Sequence, residues 1–313
     1  MMWFAIALMW IGALQDPQPQ KEPLTLTAVP DKTEAALGDE IQFEVKLENT
    51  GEKAARIPEL TLERRSVSFE ITIPGPAGKP PRTFTYAITR GDAHIAQRLP
   101  LPEVVLPIGK AVVELFRLPT LKPGDMDIVV KFAGPEKELR SAPIKVKVSA
   151  SQSGSKVGAI VDTEKGKIQF DLLPEEAPAN VIHFITLARA GFYNGMLFHR
   201  VIRSSWVQAG CPYGIGIGGP GYAIASEAKE QEAAHELGTV SLCAFEKSDW
   251  NGSQFFMCLG KIPALDKKFT VIGKIVEQDS LKILGELGKA NTNKNTDRPE
   301  VDLLLKSVTI VVK

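Results

Sequence analysis

Three short stretches in the second half of the chain place polar side chains inside otherwise apolar, strand-like runs. Phe198-His199-Arg200-Val201-Ile202 carries an arginine, and Trp206-Val207-Gln208 carries a glutamine. Asn251-Gly252-Ser253-Gln254-Phe255-Phe256 adds a second amide beside two aromatic rings. A guanidinium stays charged at physiological pH and offers several N–H groups in fixed directions. On one wall with amides and phenylalanine, it suits polar recognition beside an apolar pocket. These residues do not suit acyl transfer, because no nucleophile elbow is present. His183, His199 and His235 have no i, i+4 spacing for a metal ion.

The elements that must position these groups can be read from periodicity. Residues 24–148 read as all-β: Ile41, Phe43, Val45 and Leu47 alternate with polar residues, as do Val67, Phe69, Ile71 and Ile73. Turn signals such as Leu37-Gly38-Asp39 and Lys122-Pro123-Gly124-Asp125 separate the runs. Many short strands without a helical stretch predict a two-sheet sandwich that resembles immunoglobulin-like modules at fold level. Residues 149–155 (SASQSGS) are small and polar, the expected boundary, and such a linker predicts a flexible tether with modest contact between the halves. The sandwich would then present the second domain, residues 156–313, without completing its site.

In that domain Ala159–Thr163 and Lys167–Leu172 form a hairpin pattern. Val181, Phe184, Ile185 and Ala188 fall at i, i+3, i+4 and i+7, predicting a helix from about Pro178 to Ala190, with Pro178 in its first turn. Strand-like runs follow at Leu197–Ile202, Trp206–Ala209, Thr239–Ala244, Phe255–Leu259, Val271–Val276 and Ser307–Val312, with a second helix near Ser280–Leu287. The pattern predicts a closed eight-stranded antiparallel β-barrel capped by two helices.

The chain has 313 residues with 37 Lys+Arg against 37 Asp+Glu, and this balance argues against a nucleic-acid partner. Residues 1–15 hold an uncharged apolar run too short for a membrane span, which predicts a signal peptide and export to the periplasm or cell surface; an uncleaved membrane anchor is the alternative. Residues 16–23 (DPQPQKEP) then form a polar linker. The three cysteines, Cys211, Cys243 and Cys258, are too few and too scattered for a disulfide framework or zinc knuckle, so Cys243 and Cys258 read as buried inert thiols.

Several features match motifs out of context. Gly214-x-Gly216-x-x-Gly219 and Gly216-x-Gly218-x-x-Gly221 fit a dinucleotide pattern, but Pro220-Gly221-Tyr222 follows instead of a helix, so a loop at the barrel mouth is expected. Asn251-Gly252-Ser253 is formally a glycosylation sequon and reads as a tight turn, with Trp250 as a rim aromatic. Glu227, Glu230, Glu232 and Glu236 read as a solvated acidic face.

The run AGFYNGMLFHRVIRSSWVQAGCPYGIGIGGPGYAIAS and the later NGSQFFMCLGKIPALDKKFTVIGKIVEQDS resemble the signature of cyclophilin-type peptidyl-prolyl cis-trans isomerases, over about Val157 to Lys313. The resemblance implies rotation about X–Pro bonds in proline-containing segments of client proteins, with no cofactor and no metal. Such rotation costs ~18–20 kcal/mol because amide resonance is lost. At the twisted transition state the prolyl nitrogen regains its lone pair, so a donor aimed at it binds that state better than either planar one. By resemblance Arg200 is that donor and Gln208 holds the substrate backbone. Phe256 and Leu265 would line the proline pocket, and Gln254 would support the wall. Phe198, His199, Trp206, Cys243, Ala244, Phe245 and Phe269 complete the expected substrate-binding set.

The sequence departs from the family pattern at Ser205 (usually aromatic), Trp206, Ala264, Phe269 and Ala244. By alternation Trp206 should point away from the face Ser205 occupies. Of these, Ser205, Ala264 and Phe269 support a second reading, a proline-peptide-binding or chaperone module of low turnover. A third makes the sandwich the principal unit, binding a surface or protein partner.

Overall fold

The computed structural model describes residues 24–58, 66–75, 78–90, 103–134, 137–150, 152, 154–244 and 249–313. The expected signal segment and the linker at 16–23 lie outside the described residues, as does Phe245.

Period-two alternation becomes sheet throughout the first half. Leu24–Pro30, Glu40–Asn49 and Ala111–Pro119 form one antiparallel sheet. Glu34–Ala36, Ile144–Ser149, Gly124–Ala133, Val67–Ile73 and Arg82–Tyr86 pair in that order in a second, and Glu138–Arg140 adds to Gly124–Ala133. Ala55–Pro58 and Glu103–Leu106 make a two-stranded ribbon. Each predicted apolar position, from Ile41 to Leu47 and from Val67 to Ile73, is buried. The sheets meet where Phe69 packs edge-on against Phe43 and Phe116, with ring centroids 5.7 Å apart in both pairs.

The second half is also mainly β. Its ladder runs Met196–Leu197, Leu304–Val312, Val157–Thr163, Gly166–Leu172, Thr270–Lys274, Thr239–Ala244, Trp250–Cys258, Trp206–Ala209, Arg200–Ile202. The ends of this ladder are consecutive pieces of one segment, broken at Phe198-His199, so covalent chain joins them instead of a hydrogen-bonded pair. The single strand expected at Leu197–Ile202 is therefore two short ones, and the break sets Arg200 at the end of an edge strand. The two expected helices are present, at Pro178–Arg189 and Gln278–Gly288. The first buries Val181, Phe184, Ile185 and Ala188, and Phe184 meets Tyr193 and Phe255 at 5.3 and 5.7 Å.

The expected loose tether is corrected. Ile88–Arg90 of the first half pairs antiparallel with Tyr222–Ile224 of the second, a strand the sequence reading missed. Arg82 donates to the Glu175 and Glu176 carbonyl oxygens and lies 3.6 Å from both Glu227 and Glu230. Arg189, at the end of the first helix, pairs with Glu40 at 3.3 Å and donates to the Gly38 carbonyl. Gly38 has φ +81°, and a Cβ there would meet Val312 at 2.6 Å, so the turn needs glycine both for its conformation and for the close approach. Tyr86 is buried against the same helix, and one apolar core runs through both halves.

The acidic stretch is likewise not a solvated face throughout. The Glu227 side chain is 12% exposed and accepts from the Asn180 backbone N–H at 2.9 Å and its side-chain amide at 2.8 Å. Burial raises the Glu227 pKa above the ordinary range, while Asn180 and the Arg82 charge pull it back. Asn251 is fully buried inside the strand Trp250–Cys258, not in a turn, and donates to Asn180 at 2.7 Å and Thr270 at 2.8 Å. Its amide is thus a core group. Trp250 lines a cleft between the halves, with Arg82 and Phe84.

Candidate active site

Pairing register decides which side chains share a face. Arg200 pairs with Gln208, Gln208 with Phe256, and Phe256 with Ser241, so all four point to one side of the sheet. The alternate residues Val201, Val207, Phe255, Val240 and Leu242 fill the core. Chemistry and core thus come from the same strands, split by the period of two.

Trp206 shares the face with Arg200, contrary to the alternation argument. Ser205 belongs to the turn at 203–205, where Ser204 has φ +63°, so strand alternation starts only at Trp206. The indole packs 5.8 Å from the Phe256 ring and lies under the Arg200 guanidinium, with Cζ 5.6 Å from its centroid. A second edge of Arg200 faces Asp297: Nε and Nη2 donate to Oδ2 at 3.2 and 3.0 Å.

The amides are oriented by a chain of bonds. Gln254 Nε2 donates to the Gly216 and Gly218 carbonyls at 2.8 and 3.1 Å, and carbonyls can only accept. Its oxygen therefore turns to Gln208, whose Nε2 donates to it at 2.9 Å. Gln208 is left presenting its own oxygen as an acceptor. The glycine-rich loop is thus tied to the wall by Gln254, and its Gly-x-Gly spacing supplies carbonyls to the site, not a phosphate cradle.

Phe256 forms the apolar floor. Phe269 meets it edge-on at 5.4 Å and 89°, and His235 stacks on it at 5.8 Å and 16°. Leu265 ends the short turn Pro263–Leu265 and accepts the Phe269 backbone N–H at 3.3 Å. Behind the floor, His235 Nδ1 lies 2.9 Å from Asp266 Oδ1, and Nε2 lies 3.0 Å from Ser241 Oγ. A carboxylate can only accept, so Nδ1 carries the proton and Nε2 accepts from the serine. The order Ser–His–Asp matches a hydrolase triad, but Ser241 is fully buried and no substrate carbonyl can reach it. The relay holds the floor in place. The sequence reading missed Ser241, His235 and Asp266 as site residues, and their spacing of 6 and 31 positions offered no local pattern.

Two other members of the expected substrate-binding set are buried. Phe198 is 1% exposed and sits in the core, behind the face. His199 is buried beneath the loop, where a Cβ on Gly216 would meet its ring at 3.6 Å. Cys243 lies close enough to feel the Arg200 charge, which partly offsets burial; its thiol is pushed up to about 12. Ala244 follows at an irregular register opposite Asn251. Burial pushes Cys258 to about 12 as well, so both thiols stay protonated.

Buried imidazoles set the pH response of the fold. His183 Nε2 donates to the Gly252 carbonyl at 3.1 Å, and burial lowers its pKa to about 4. Burial also lowers His199 and His235, the latter against the upward pull of Asp266. Each folded pKa lies below the unfolded value of about 6.5. As pH falls below about 6.5, the unfolded chain takes up protons that the folded chain resists, and stability declines toward pH 4. Glu227, with its raised pKa, opposes this, while Asp39, Glu70, Asp266 and Asp279, held below the ordinary range by hydrogen bonds, add to the decline at its acid end. The melting temperature is expected to stay nearly level from pH 7.5 to about 7 and to fall from about pH 6.5 to 4.5, and His183→Gln, which keeps the N–H donor, should flatten the decline. A midpoint constant over that range would contradict this assignment.

Comparison with known proteins places the second half of the chain in a family. The family model for cyclophilin type peptidyl-prolyl cis-trans isomerase/CLD matches residues 159–310. A peptidyl-prolyl cis-trans isomerase of Helicobacter pylori (strain ATCC 700392 / 26695) is 44% identical over 129 residues, covering 41% of this chain and 78% of the relative. Peptidyl-prolyl cis-trans isomerase B of Bacillus subtilis (strain 168) is 44% identical over 120 residues, covering 38% and 83%. A solved cyclophilin type peptidyl-prolyl cis-trans isomerase of Cryptosporidium parvum aligns over 49% of this chain and 96% of its own, at 26% identity and a TM-score of 0.46. The chain belongs to the cyclophilin-type peptidyl-prolyl cis-trans isomerases, and its second half carries the isomerase domain.

Proposed function

We propose that the chain accelerates X–Pro rotation in exported or folding proteins, with Arg200 as the donor to the prolyl nitrogen. The observation that carries the reading is the shared face of Arg200, Gln208 and Phe256 on three paired strands. The proline ring sits on Phe256, bounded by Trp206, Phe269 and Leu265, while Gln208 Oε1 accepts a backbone N–H of the substrate. Asp297 takes the Nε–Nη2 edge of Arg200, and among the described residues no protein acceptor takes Nη1. Nη1 is the group that meets the nitrogen lone pair as the amide twists, and no covalent step or proton transfer is needed.

Trp206 removes one argument for the binding-only reading, the missing aromatic at Ser205. It covers Phe256 where Ser205 supplies no ring. Residues 156–313 are read as a barrel closed through the segment Met196–Ile202, and 24–148 as an immunoglobulin-like sandwich docked on it. Residues 1–15 are read as an export signal. In a bacterial host, the periplasmic or surface fraction should hold a chain whose measured mass lacks the signal. A full-mass chain in the cytosol would contradict export, and a full-mass chain in the membrane fraction would mean an uncleaved anchor.

A further inference from the structure

We propose that Asp297 is a positioning residue for Arg200, holding the guanidinium so that its Nη1 edge faces the substrate; the inference rests on the reading of Arg200 as the catalytic donor. Both contacts of Arg200 end on one carboxylate oxygen, Oδ2, at 3.2 Å from Nε and 3.0 Å from Nη2. Because the guanidinium is planar, engaging that edge fixes the direction of Nη1 on the far side. The Trp206 ring, 5.6 Å from Cζ, restrains the plane from below. An edge and a face are the two constraints that a freely rotating arginine lacks, and the rotamer freedom lost at the transition state falls accordingly.

Asp297 is itself built in. Its φ of +57° is a conformation that non-glycine residues seldom adopt and that Asp and Asn tolerate best. Its backbone N–H donates to the Asn293 carbonyl at 2.9 Å, and the Asn293 N–H donates to the Arg298 carbonyl at 2.9 Å. Asn295 N–H donates to Asn293 Oδ1 at 2.9 Å, and Thr292 bridges Pro299. The Asp297 carbonyl accepts the N–H of Val201, the neighbour of Arg200, at 2.9 Å. Backbone and side chain of one residue therefore dock the 291–300 turn on the strand that presents the arginine. Arg200 and Asp297 side chains are 42% and 36% exposed, where an ion pair contributes only about 0–1 kcal/mol to stability. The pair's consequence is direction, not fold.

The αL conformation selects the test variants. Asp297→Gly keeps the backbone and removes the carboxylate, and Asp297→Asn keeps the backbone and one acceptor without charge. Full-length protein would be assayed on a short Ala-Pro peptide, with kcat and KM separated. For Asp297→Gly, kcat should fall about tenfold with KM within about twofold and the melting temperature unchanged. Asp297→Asn should recover activity to within about threefold of the parent. The NMR resonance of Arg200 Nε–H should shift in the Gly variant and stay near its place in the Asn variant. An unchanged kcat in Asp297→Gly overturns the proposal, as does a raised kcat, which would mean the carboxylate competes with substrate. Arg200→Ala, run in parallel, separates the two claims. If it keeps full activity, the reading of Arg200 and this inference fall together; if it is inactive while Asp297→Gly is normal, only the inference falls.

Discussion

Replacing Arg200 with alanine is expected to lower kcat/KM on an Ala-Pro peptide by about 10²–10³-fold, the range seen when one preorganised transition-state donor is removed. That corresponds to about 3–4 kcal/mol of transition-state binding. Arg200→Lys should recover little, because an ammonium is a point charge that cannot share one edge with Asp297 and present another to substrate. The melting temperature should barely move, since the side chain is 42% exposed and stands at a sheet edge. A protease-coupled assay resolves the change. Activity within threefold of the parent in Arg200→Ala would remove the arginine from the mechanism.

The second large effect concerns the joint between the halves. Residues 156–313, expressed alone, should be destabilised by about 3 kcal/mol or more relative to the same half in the full chain. The fragment exposes the surface that Tyr86 covers, which forfeits part of the ~1.5–3 kcal/mol that burying a large apolar side chain contributes. It also strips Arg82 from Glu227, whose carboxylate is held with little access to water, and leaves Tyr222–Ile224 as an unpaired strand edge. Hydrogen exchange would show the loss first at Tyr222–Ile224 and Asn180. Every residue of the Arg200 face lies in the second half, so at low temperature, where the fragment is folded, kcat/KM should stay within about threefold. A fragment that melts like the full chain would restore the loose tether that the linker composition suggested.

What could be read from the sequence was what local pattern encodes. Alternation and short apolar runs located the longer strands of both halves but not short ones such as Ala55–Pro58 and Glu138–Arg140, and i, i+3, i+4 spacing located the helix that buries Phe184. Arg200, Gln208 and Gln254 stood out because each is a polar residue set in or beside an apolar strand-like run, whereas Phe256 was marked by the family resemblance. Groups that matter through distant partners did not stand out. Glu227 reads as a surface acid until Asn180 and Arg82 are brought to it. Tyr222–Ala225 follows a glycine-rich loop and becomes a strand only between Ile88–Arg90 and Trp250–Cys258. Asp297 lies in a polar run whose left-handed turn has no signature beyond Asn and Asp content, and it faces Arg200 across 97 residues of chain. Trp206 was misplaced because alternation was counted from Ser205, which belongs to the turn. The seven-residue polar linker was read as slack, although the contacts that join the halves are made far from it, by Arg82, Tyr86, Ile88–Arg90 and Arg189.

The central claim is that the face formed by Arg200, Gln208 and Phe256 turns over X–Pro bonds and does not merely bind them. Exchange spectroscopy on a short Ala-Pro peptide with a small amount of full-length protein tests it most directly, because uncatalysed exchange takes tens to hundreds of seconds. The account predicts cis–trans cross-peaks within a second of mixing, with protein resonances at Arg200, Gln208 and Phe256 shifting as peptide is added. Peptide-induced shifts on that face without accelerated exchange would contradict it.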